Sequence, residues 1–94
     1  MTKLQTFKAT DLSVSYTSNV LTFETRGNRT GVFQINCSAT DSAVLQSRIS
    51  PDFSWVDLLT VTGTDVQQEI ILAPQFRLVT TNVTASPITG AIHI

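Results

Sequence analysis

One histidine and one cysteine are all that the 94 residues hold of the two side chains most used in nucleophilic and metal chemistry. A structural zinc site asks for several of them, so one of each cannot complete four ligands within the chain. Hydrolysis by a nucleophile and base needs a His held by a carboxylate beside a Ser or Cys. His93 instead alternates with Ile92 and Ile94 in "AIHI", which puts it on the polar side of a final strand. Cys37 has no partner for an internal disulfide, and in "VFQINCSA" it takes the place of a small buried apolar residue. The four glycines never gather into a phosphate-cradling loop that opens a helix. Asp52, Asp57 and Asp65 come nearest to a cation site, but their spacing fits turn-forming aspartates rather than a continuous oxygen-ligand loop. The expectation is a chain without catalytic, cofactor-binding or metal residues, hence not an enzyme.

Charge is scarce as well. Charged residues make up 14% of the chain, against roughly 25% in ordinary soluble domains. Thr, Ser, Asn and Gln fill the polar positions, a composition that suits surfaces packed against neighbours, because charge is depleted at the centres of interfaces. A net charge of -1 with scattered Lys and Arg points away from nucleic acid. Only Arg26 and Arg29 lie close together, in "TRGNRTG", where an exposed turn explains them. No apolar run approaches the roughly 20 residues that span a bilayer, and "MTKLQTFKATD" lacks the apolar middle of a signal peptide. The reading is a protein made in a cytosol with no membrane partner. The Asn-x-Ser/Thr triplets at Asn28, Asn36 and Asn82 then reflect abundant Asn and Thr rather than glycosylation.

What the chain does have is alternation with period two, rich in β-branched residues and punctuated by polar turns. "LSVSY" sets Leu12, Val14 and Tyr16 on one face, and "VLTFET" sets Leu21 and Phe23 on one face. "VFQINCSA" aligns Phe33, Ile35, Cys37 and Ala39; "AVLQSRIS" aligns Ala43, Leu45, Ser47 and Ile49 against Gln46 and Arg48. "WVDLLTV" and "VQQEIIL" flank "TGTD"; "FRLVTT" sets Phe76 and Leu78 against Arg77 and Val79; "ITGAIHI" aligns Ile88, Gly90, Ile92 and Ile94. The glycines of "RGNRTG" predict a hairpin between the second and third of these runs. Pro51, Pro74 and Pro87 fall between runs, in predicted turns.

About eight short antiparallel strands and no helix leave each apolar sheet face with only another sheet to cover it. The predicted fold is all-β: a single small β-sandwich or jelly-roll-like domain over residues 1–94, with edge strands open to pairing with another chain.

Taken together, "QSRISPDFSWVDLLTV", "IILAPQFRLVTTNVT" and "SPITGAIHI" resemble the C-terminal half of small β-sandwich virion structural proteins of tailed bacteriophages. There a strand runs into a Ser-x-Asp-Gly-x-x-Trp-x-Asp-Leu turn, a later strand reads Pro-x-x-Arg-Val-x-Val-Thr-Asn, and a terminal strand rich in Val or Ile closes the domain. The matching positions are Ser50, Asp52, Trp55, Asp57, Leu58, Pro74, Arg77 and Asn82, about half the chain being covered. Phe53 stands where the pattern has glycine, so this turn is expected to differ in geometry. A similar strand, turn and Phe-Arg-Leu pattern occurs in galactose-binding-like jelly rolls.

The phage resemblance implies a structural role: a capsid decoration or cement subunit, or a tail-associated one, often trimeric, located in the virion after synthesis in the host cytoplasm. Its partners would be major capsid or tail subunits of the same virion and further copies of itself. The competing resemblance implies a carbohydrate- or receptor-binding module, with Trp55 or Tyr16 stacked on a sugar ring. Trp55 and Phe53 are the candidate site residues, as a subunit contact or at the rim of the core. Strict alternation puts Trp55, Asp57 and Leu59 on one face and Val56, Leu58 and Thr60 on the other. For Trp55 three roles stay open: plugging the core, meeting a subunit, or carrying a sugar.

Overall fold

A computed structural model describes residues 4–7, 15–24, 29–37, 40–81 and 88–94. These form nine strands: β1 (Leu4–Phe7), β2 (Ser15–Thr17), β3 (Leu21–Thr22), β4 (Thr30–Asn36), β5 (Ser42–Arg48), β6 (Val56–Thr62), β7 (Val66–Ile71), β8 (Gln75–Thr81) and β9 (Thr89–His93). No helix occurs among the described residues.

The pairing is nested. β1 pairs with β9, β2 and β3 with β8, β4 with β7, and β5 with β6, all antiparallel. The chain is thus one long hairpin with its tip between β5 and β6. Rolling that hairpin up brings β9 beside β4 and β8 beside β5, which closes two sheets in the orders β1-β9-β4-β7 and β2-β8-β5-β6. This is jelly-roll topology, so the all-β sandwich expected from alternation is the fold observed.

The two sheets bury one face each. Phe33, Phe76, Ile35, Leu45, Leu78 and Ile92 are fully buried, with edge-to-face ring pairs Phe7–Phe33 at 6.2 Å and Phe23–Phe76 at 5.9 Å between centroids. Cys37 is buried with them. The predicted faces of β4 and β8 hold, and His93 is exposed on the polar side of β9. Ile49, grouped by alternation with Ala43 and Leu45, is 63% exposed, because β5 ends at Arg48 and the chain bends away.

Two further differences from the sequence reading have local causes. β1 has no counterpart among the alternating runs: it is four residues long and only Phe7 reaches the core. The hairpin expected at "RGNRTG" does not form, since β3 pairs with β8 in one sheet and β4 with β7 and β9 in the other. Of that turn, residues 25–28 lie outside the described residues, as do Leu12–Val14 of "LSVSY", Ala39, Asn82 and Pro87.

β2 and β3 together fill one edge position, interrupted at Ser18. The Ser18 N–H donates to the Leu78 carbonyl at 2.8 Å, and the Leu78 N–H donates to Ser18 Oγ at 2.8 Å. A side-chain oxygen therefore accepts where a strand would offer a carbonyl, and the edge turns without orphaning a buried donor. At one end of the sandwich the β4–β5 and β6–β7 crossings hold each other. Gly63, at φ 61°, donates its N–H to the Asp41 carbonyl at 2.9 Å, while the Cys37 N–H donates to Asp65 Oδ1 at 3.2 Å.

Ser18→Ala is expected to lower the unfolding free energy by about 1–3 kcal/mol, because the buried Leu78 N–H loses its acceptor. Urea unfolding at equilibrium measures it; a change indistinguishable from zero would mean the strand re-pairs through its own carbonyl.

Candidate functional site at the tip of the β5–β6 hairpin

The loop from Ile49 to Trp55 joins β5 to β6. Pro51 cannot continue a ladder, and Ser50 closes a tight turn around it: the Phe53 N–H donates to the Ser50 carbonyl at 3.1 Å and the Asp52 N–H to Ser50 Oγ at 3.3 Å. Phe53 is the last residue of that turn and is 55% exposed. An apolar ring is thus held at the tip of the hairpin.

Beyond the turn the β5–β6 register slips. Leu45 faces Leu59, yet Gln46 faces Asp57, so Leu58 is the extra residue of a β-bulge. The slip reverses the parity of the first part of β6. Asp57 stands on the outward side with Gln46, whereas Leu59 joins the core side with Leu45. The shared face predicted for Trp55, Asp57 and Leu59 is therefore split, and Leu58 is left 50% exposed.

Trp55 lies outside the core cluster. Its ring is partly buried under two guanidiniums, with Arg48 Cζ at 4.2 Å and Arg77 Cζ at 4.5 Å from the ring centroid. Arg77 lies between core residues Phe76 and Leu78 on β8, and Arg48 pairs with Gln75, so both point outward from the second sheet. Each arginine is aimed by a glutamine: Arg48 Nε donates to Gln75 Oε1 and Arg77 Nε to Gln46 Oε1, both at 2.7 Å. Gln46 Nε2 in turn donates to Asp57 Oδ1 at 2.7 Å. Ring surface under the arginines is closed to a stacked sugar.

Sequence alone points to Trp55 and Phe53 but not to the residues that surround Trp55. Arg48, Gln46 and Arg77 are each visible as outward positions of an alternating run. Their meeting depends on β5 pairing with β8, a contact between distant segments that no local pattern reports.

Near this tip apolar side chains are exposed among polar ones. Ile49, Phe53, Val56 and Leu58 are all at least half exposed. Val56 pairs with Ser47, which is buried, so it has core parity and is uncovered because β6 is an edge. Among the described residues the flank between edge strands β6 and β7 carries no strand pairing, while the opposite flank is bridged by Gln5 Nε2 donating to the Thr22 carbonyl at 3.1 Å.

Away from the tip, the outer face of the first sheet forms an open groove of about 430 Å³. Its lining holds no Asp, Glu, Lys or Arg and includes Thr6, Gln34, Asn36, Gln67 and His93, with Gln67 Nε2 donating to Gln34 Oε1 at 2.9 Å. Among the described residues no three His, Cys, Asp or Glu side chains come together as metal ligands would. Tyr16 is partly buried on β2, which pairs with β8. The chain matches no family model, no curated protein and no solved structure.

Trp55→Ala is expected to cost about 1–2 kcal/mol of stability, the scale of two partly exposed cation–π contacts. Phe76→Ala, which empties a core site, is expected to cost about 3–5 kcal/mol. Parallel urea titrations compare them, and equal losses would return Trp55 to the core.

Proposed function

We propose that this chain is a non-catalytic assembly subunit that works through protein–protein contacts, a capsid decoration or cement protein of a bacteriophage virion. The observation that carries the reading is the set of uncovered apolar side chains near the β5–β6 tip, on and beside a strand that is an edge among the described residues. A domain of this size that leaves Ile49, Phe53, Val56 and Leu58 in water gains when a neighbour covers them. The low charge of the chain and the resemblance of its C-terminal half to phage virion proteins agree with such a neighbour being a shell or tail subunit. Bound to the assembled state alone, the subunit would stabilise it by mass action.

A second reading, a carbohydrate-binding module, draws on the amide-lined groove of the first sheet rather than on Trp55. Amide and hydroxyl groups on rigid strands suit a neutral polyhydroxyl ligand. A glycan array separates the two readings: binding that is lost in Gln34→Ala and kept in Trp55→Ala favours the groove.

For the assembly reading, Phe53→Ser combined with Leu58→Ser is expected to leave the isolated chain's stability within about 0.5–1 kcal/mol, since both side chains are largely solvated. The same pair is expected to abolish incorporation into particles. Cryo-electron microscopy of purified virions is the measurement, and absence of the natural chain from mature particles removes the proposal.

A further inference from the structure

Two cations share the ring of Trp55. Arg48 and Arg77 each use Nε for a glutamine oxygen and hold their guanidiniums against Trp55. Among the described residues neither makes an ion pair, and their Nη groups have no protein acceptor. A cation–π contact engages the ring face without using those N–H donors. The side chains are therefore held in place with their Nη edges unused by the described residues.

We propose that Arg48, Trp55 and Arg77 form a seat for a carboxylate of an acidic segment on a partner protein. The planar guanidinium fork matches a carboxylate in bidentate geometry. Two arginines against Asp57, whose Oδ1 accepts from Gln46, leave one net positive charge, which a single carboxylate neutralises. The surroundings favour a protein as the source. Exposed Phe53, in the turn that leads into Trp55, belongs to the same hairpin end and would pack against the rest of such a segment. The inference rests on the assembly reading only for that source, and it adds what the apolar residues lack, a polar contact that fixes register.

Trp55 is the chain's single tryptophan, so its fluorescence reports the seat directly. The whole chain is titrated with an end-blocked tetrapeptide of glutamate, with the matching tetrapeptide of glutamine and with inorganic phosphate at equal ionic strength. The expected result is a saturable change in emission with the glutamate peptide, weakened by added salt and absent with the glutamine peptide. Arg48→Gln and Arg77→Gln, checked for a retained cooperative unfolding transition, are each expected to weaken binding about tenfold, the loss of one charge-assisted contact. An equal response to the glutamine peptide, or a response that survives in the double arginine variant, overturns the seat. Tighter binding of phosphate than of the glutamate peptide overturns its assignment to a carboxylate. The titration uses the isolated chain, so peptide binding by a protein that never enters particles would sink the assembly reading and leave the seat standing.

Discussion

Sheet-against-sheet burial is what the rest of this molecule depends on. With no helix among the described residues, the apolar face of each sheet is covered by the other, and the chain crosses between them at most of its connections. Phe33, Ile35 and Ile92 from one sheet and Leu45, Phe76 and Leu78 from the other supply that cover. The crossings are then stitched at their ends, as where Gly63 and Asp65 grip the backbone around Cys37 and Asp41. Outward positions are freed for other work, and the Trp55 cluster occupies them.

How much of this is legible in the sequence depends on range. Alternation at Phe33, Ile35 and Cys37, at Ala43, Leu45 and Ser47, and at Phe76 and Leu78 reports burial correctly, because side-chain direction in a strand is a local property. The glycine turn at "RGNRTG" misleads for the same reason. Glycine licenses a reversal of direction but does not say which sheet the next strand joins. The bulge at Leu58 is equally invisible: one unpaired residue inverts every position before it, and nothing in "WVDLLTV" marks the slip.

The site is half legible. "SPDFSW" stands out through its proline and its aromatic residues, and the structure puts those residues at the tip of the rolled hairpin. What surrounds Trp55 is not legible, because Arg48, Gln75 and Arg77 come from strands joined by sheet pairing rather than by sequence. The combination has a physical logic. Aromatic surface partly covered by guanidinium groups is less prone to indiscriminate sticking than a bare tryptophan, yet it retains directional donors for a chosen neighbour.

The nested pairing also orders the formation of the fold. Closing a loop costs more entropy the longer it is, and in this topology loop length grows at each step outward from the tip. β5 and β6 meet across a short turn, whereas β1 must find β9, with Leu4 opposite His93. Contacts of such sequence separation slow folding, so the β5–β6 hairpin is the cheapest place to begin and the pairing of β1 with β9 the costliest to reach. The segment that offers Phe53 and Trp55 to the outside is thus the one the chain can assemble first, with the rest of the roll winding onto it.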